Sequence, residues 1–91
     1  MEFKFYVNPD TGKPHILDHH VEPEEIFDFF SQPLILERHR ADGSFEAFGR
    51  TPSGRFLTVA YRREGHEIIF VITAFDLQDR QIIDKLIREL E

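Results

Sequence analysis

The sequence predicts an α+β domain, a mainly antiparallel sheet with helices packed on it in the order β-α-β-β-β-β-α, and three observations lead there. Turn signals recur about eleven residues apart, at Asp42-Gly43, Pro52 to Gly54 and Glu64-Gly65, as in a meander of strands. Glu67 to Phe75, around Ile68-Ile69-Phe70-Val71-Ile72, is a nearly unbroken apolar run, the mark of a central strand covered on both faces. Apolar residues return at helical spacing on either side of the meander, at Ile26 to Phe30 and at Ile83, Leu86, Ile87 and Leu90.

Taken in order, Glu2 to Val7 alternates and is β-prone, and Asn8-Pro9-Asp10-Thr11-Gly12 ends that strand with turn chemistry. Residues 8 to 20 read as loop or a short turn of helix. Val21-Glu22-Pro23-Glu24-Glu25-Ile26 is a helix start. Pro23 suits the first helical position, the carboxylates face the positive end of the macrodipole, and Val21 can staple onto Ile26. Ile26, Phe27 and Phe30 are expected on its core face, with the helix ending near Ser31, before Pro33. Four strands follow from Leu34, and Asp42-Gly43 has the chemistry of a two-residue type I′ hairpin. Asp76 is expected to cap a last amphipathic helix that covers the sheet.

Ninety-one residues, 41% of them hydrophobic, make one domain over 1–91 with a single core. With no cysteine there is neither a disulfide framework nor a thiolate metal site. The start, Met-Glu-Phe-Lys-Phe, lacks a signal pattern, and no apolar run approaches the roughly 20 residues of a membrane helix. The expectation is a soluble cytoplasmic protein.

The net charge of −6 is unevenly spread. Between positions 38 and 63 lie Arg38, Arg40, Arg50, Arg55, Arg62 and Arg63 against Asp42 and Glu46, a local excess of four positive charges. A basic sheet region between acidic helices suits a confined phosphate-binding face, and pairing with Glu37, Glu64 and Glu67 is the bland alternative. Thr51-Pro52-Ser53-Gly54 reads as a type I turn that makes Arg50 and Arg55 near-opposite neighbours, either splayed into water or sharing an anion. That register puts Arg50, Arg55, Leu57, Val59 and Tyr61 on one face, and a slip of one residue regroups them. His15, His19 and His20, with Asp18, form only a weak metal pattern beside Pro14, and no metal or cofactor is expected.

With His19-His20-Val21-Glu22-Pro23-Glu24-Glu25-Ile26, then Gly49-Arg50-Thr51 through Tyr61, then Val71-Ile72-Thr73-Ala74, the chain resembles the BrnT-type toxins of the RelE-like superfamily over roughly residues 3 to 75. Those proteins carry a His-x-Val-x-x-Glu-Glu helix start and a Gly-Arg hairpin leading into an apolar strand. The resemblance implies a RelE-like toxin architecture and a metal-independent ribonuclease that inhibits translation. It also implies a cognate antitoxin as protein partner and RNA as substrate, with the ribosome as one setting for cleavage. His19, Glu25, Arg50 and Arg55 match the family's positions. In such chemistry His19 would move the proton, with Tyr61 or His39 as alternatives, and Arg50 and Arg55 would stabilise phosphorane-like charge. Arg38, Arg40 and Arg62 would bind the RNA backbone. His19 ordering its loop and Tyr61 ending a strand with its hydroxyl in water are the structural alternatives. Ala74 to Asp79 is acidic where the family carries a basic segment. That departure favours a second expectation, a diverged non-catalytic binding module that keeps a protein-partner surface, as a complex or a homodimer.

Overall fold

Strands β1 (Glu2–Phe5), β2 (Val7–Asn8) and β3 (Lys13–Pro14) are followed by a 3₁₀ helix at His15–His19 and by α1 (Pro23–Phe30). Then come β4 (Leu36–His39), β5 (Phe45–Arg50), β6 (Phe56–Glu64), β7 (Ile68–Asp76) and α2 (Arg80–Leu90). The computed structural model describes residues 1–33 and 36–90, so the expected opening of the meander at Leu34 lies outside the described residues, as does the Leu90 side chain.

The four meander strands pair antiparallel as expected, while β1 adds to β7 in parallel, giving a mixed sheet in the order β1-β7-β6-β5-β4. The chain reaches that arrangement by leaving β1 through a two-stranded β2–β3 ladder, the 3₁₀ helix and α1, and entering the sheet at its far edge. The element order therefore differs from β-α-β-β-β-β-α. Residues 8 to 20, expected as loop or a short helical turn, hold one strand of that ladder as well as the 3₁₀ helix.

A helix covers each face. Ile26 and Phe29 of α1 pack with Ala47, Leu57, Val59, Tyr61, Ile69, Val71 and Ala74. Leu86 of α2, with Ile82 and Ile83 beside it, packs with Phe48, Phe56 and Leu77. Between Ala60 and Tyr61 the β6–β7 register shifts, so that Ile72 is an extra residue and both Val71 and Ala74 reach the α1 face. On the other face Phe70 is only half-buried, so β7 is less completely covered than its apolar run suggests.

Helix α1 starts as its sequence dictates: Pro23 occupies the first turn, and Glu22 and Glu25 form a reciprocal capping box in which the Glu22 N–H donates to Glu25 Oε1 at 3.0 Å. Its buried face is Ile26 and Phe29, whereas Phe27 is 44% exposed, which corrects the expected trio of Ile26, Phe27 and Phe30. Positions 26, 29 and 30 share a stripe at helical spacing and position 27 lies about 100° away from 26. At α2 the cap is Asp79, whose Oδ1 accepts from the N–H groups of Gln81 and Ile82; Asp76 belongs to β7.

Asp42-Gly43 is not a type I′ turn, because Gly43 has φ +87° and Asp42 is not in the positive-φ region. Arg40 N–H donates to Ser44 O and Gly43 N–H to Arg40 O, which makes a three-residue connection with a left-handed glycine at its end. The β5–β6 connection repeats this design, with Gly54 N–H donating to Thr51 O, Thr51 N–H to Arg55 O, and Gly54 at φ +92°.

Gly49 sits beneath α1 at the tightest contact. A Cβ there would lie 2.9 Å from Phe29 Cε2. Gly49→Ala is expected to cost about 1–2 kcal/mol, towards the low end for overpacking because a ring edge must move, and urea denaturation measures it. No helix among the described residues is long and apolar enough to cross a membrane.

Candidate functional site

The hairpin connection decides where the two prominent arginines go. Because Thr51 pairs with Arg55 and Arg50 with Phe56, the expected opposition of Arg50 and Arg55 does not occur. Arg50 shares a face with Phe56, Thr58, Ala60 and Arg62, and its guanidinium lies 5.5 Å from the Phe56 ring centroid. The one-residue slip thus regroups the side chains.

Arg55 turns inward and ties elements distant in sequence. Its Nε donates to Asp76 Oδ1 at 2.8 Å, and its Nη1 reaches both carboxylate oxygens of Glu25 at 2.9 Å and the His20 carbonyl at 2.8 Å. Asp76 foremost, with Glu25, holds the guanidinium charged more firmly than usual against the opposing effect of burial. One side chain thereby links the hairpin, the end of β7, the α1 capping box and the exit of the 3₁₀ helix, where His20 adopts φ +61°. Its Nε and Nη1 donors point at two carboxylates and a carbonyl of its own chain.

A cleft of about 570 Å³ opens on the α2 side of the sheet. Its apolar surface comes from Phe48, Phe75, Leu77 and Ile82, and its polar lining includes His19, His20 and Arg38 together with Asp18, Glu46, Asp76 and Asp79. His19 packs its ring against Phe75, with centroids 6.0 Å apart, and against His15 at 5.2 Å. Arg38 is paired with Glu46, Nη2 to Oε1 at 3.0 Å and Nε to the same oxygen at 3.1 Å, and lies over Phe48. Glu46 and Asp76 are matched by Arg38 and Arg55, which leaves Asp18 and Asp79 to give the cleft its acidic lining.

Tyr61 stands apart from these groups. It is fully buried on the α1 face, stacked on Phe45, and its hydroxyl donates to Glu37 Oε2, so it does not end a strand in water. Burial first, then the Glu37 carboxylate, pushes its phenol well above the ordinary tyrosine range. A folded-state pKa above the unfolded value stabilises the protein fully below about pH 10, and that contribution is lost as pH rises beyond it. Wild-type stability should therefore fall on the alkaline side of pH 10, and Tyr61→Phe should flatten that limb in denaturation curves taken across pH.

The remaining expected RNA contacts are also next to carboxylates. Arg62 lies over Phe70 at 4.9 Å, with Glu64 3.8 Å away. Arg40 is exposed at the β4–β5 turn beside Asp42, whose Oδ1 accepts from both the Ser44 N–H and the Ser44 hydroxyl. Those Ser44 bonds hold the Asp42 carboxyl below its usual range, so its contribution is present above about pH 4 and fades as acid protonates it. His39 packs on Phe45 at 4.6 Å, on the Tyr61 face and away from His19.

Of the residues expected to act together, the structure brings only His19 and Arg38 into one cleft. It separates Arg50, Arg55 and Tyr61 from one another. Sequence reasoning missed Asp76 and Glu37 as the partners of Arg55 and Tyr61. They lie 21 and 24 residues away from them, beyond any local pattern. Among the described residues no group of three or more His, Cys, Asp and Glu side chains is placed to hold a metal ion. No protein-family model, curated protein or solved structure matches this chain.

Proposed function

We propose that this chain is a BrnT-like domain working as a protein-binding module, and that the acidic cleft beside α2 receives a segment of a partner protein rich in basic and apolar side chains. The observation that carries the reading is the commitment of Arg55 to Glu25 and Asp76. A guanidinium that grips phosphate must offer its fork to the ligand, and two nitrogens of this one, Nε and Nη1, are already bound to groups of its own chain. The cleft's surplus of carboxylates repels a polyanion and attracts a cationic peptide, while Phe48, Leu77 and Ile82 supply the apolar contact. A toxin-like fold with an antitoxin-like partner accommodates this assignment, with the antitoxin segment as the occupant.

The ribonuclease reading rests on one observation, the presence of His19 and Arg38 in the same cleft. An acidic lining opposes it, because polyanion binding is dominated by phosphate neutralisation.

Titration of the chain with a synthetic lysine-leucine amphipathic peptide, followed by heteronuclear NMR, separates the readings. Shifts confined to Leu77, Ile82 and their neighbours, weakened by Gln78→Lys, which adds a positive charge to the lining, are the expected result. Shifts on adding single-stranded RNA instead, with none on adding the peptide, would reverse the assignment.

A further inference from the structure

A second surface is independent of the cleft. Strand β1 is an edge, since it pairs only with β7. Glu2 N–H donates to Glu67 O and Tyr6 N–H to Val71 O, so residues 2, 4 and 6 direct their backbone groups at β7. By alternation, Phe3 and Phe5 direct their N–H and C=O groups away from the sheet, and no strand among the described residues takes them up. Beside that edge lies an aromatic surface. Phe27, exposed on α1, has its ring centroid 5.2 Å from Phe3 and 6.3 Å from Phe5.

The side chains along this edge are complementary to themselves. We propose that two copies of the chain join β1 to β1 in antiparallel, with Phe3 opposite Phe3 on the two-fold axis. In that register the outward backbone groups of Phe3 meet their own copies, as a hydrogen-bonded pair requires. Glu2 then stands opposite Lys4 of the second copy, and Lys4 opposite its Glu2, so one rotation makes two reciprocal ion pairs on the face away from α1. On the α1 face Phe3 and the exposed edge of Phe27 gather around the axis with their symmetry mates, which removes the largest aromatic exposure of α1 from water. A shift of one residue in either direction would oppose backbone groups that point into the sheet, and it would break both ion pairs. The charge pattern therefore selects a second copy of this chain and a single register. The product is one continuous ten-stranded sheet, built from the five strands of each copy.

Sedimentation equilibrium of the full chain tests this with Glu2→Lys, Lys4→Glu and the double exchange, after circular dichroism has established that each variant keeps its fold. The wild type should be a dimer. Each single change places like charges opposite each other twice and should weaken the dimer about tenfold, while the double exchange restores wild-type affinity. Because Lys4 also lies 3.9 Å from Glu64, Glu2→Lys is the cleaner single change. A wild type that stays monomeric overturns the proposal, and so does a dimer that the single changes leave unaltered or that the double exchange fails to restore.

Discussion

Arg55→Ala is expected to destabilise the domain by about 2–3 kcal/mol, between the value of a charged hydrogen bond and that of a fully buried ion pair. The Arg55 side chain is 25% exposed and that of Glu25 23%, so removing the guanidinium leaves a half-buried carboxylate without the Nη1 donor that both its oxygens face. The loss at Asp76, which is 59% exposed, adds little because water replaces the contact. Glu25 also receives the Glu22 N–H in the capping box, so its reorientation would loosen the first turn of α1. For a domain of this size the midpoint of thermal unfolding should drop by roughly 10–20 °C. Arg55→Lys should recover only part of the loss, since an ammonium cannot span two carboxylates as a planar fork does. A cycle of Arg55→Ala and Glu25→Gln should reveal a coupling above about 1 kcal/mol, whereas additive effects would mean that the pair is solvated.

Phe29→Ala is expected to be the most damaging single substitution, at about 3–5 kcal/mol. Phe29 is fully buried, stands edge-on to Phe30 at 5.1 Å, and fills the space that Gly49 leaves under the helix. Small residue and large ring are matched, so truncating the ring opens a cavity that α1 cannot collapse to fill without moving its capping box. Phe27→Ala, two residues earlier in the same helix and largely exposed, should cost well under half as much in the monomer. Urea denaturation of the two variants side by side checks the contrast, and equal losses would show that the buried stripe of α1 is misassigned.

What was legible in the sequence was local. Pro23 with Glu22 and Glu25 announces α1, and the structure places the cap there, because a capping box is decided within four residues. The positions of the turns were equally clear, but not their lengths. Gly43 and Gly54 signal a left-handed residue whether the loop has two members or three, and that difference moves Arg50 from the face of Leu57 to the face of Phe56. The parallel addition of β1 to β7 leaves no local trace, since it joins residues more than sixty apart. Phe27, Phe29 and Phe30 look alike in composition; spacing from Ile26 sets Phe27 apart, and the packing partner, a glycine on β5, distinguishes the fully buried ring of Phe29 from that of Phe30. The candidate site suffered most from this limit. The arginines were visible as types, but the carboxylates that claim them come from other elements, so an apparent phosphate-binding hairpin becomes a tie between a helix start and a strand end.

Inducing the chain alone in a bacterial host, and following growth and bulk protein synthesis, separates the proposed protein-binding role from RNA cleavage. Wild type and a folded His19→Ala variant are predicted to grow alike, with protein synthesis unchanged. Arrest of translation by the wild type, relieved in His19→Ala, would overturn the protein-binding proposal and return the cleft to ribonuclease chemistry.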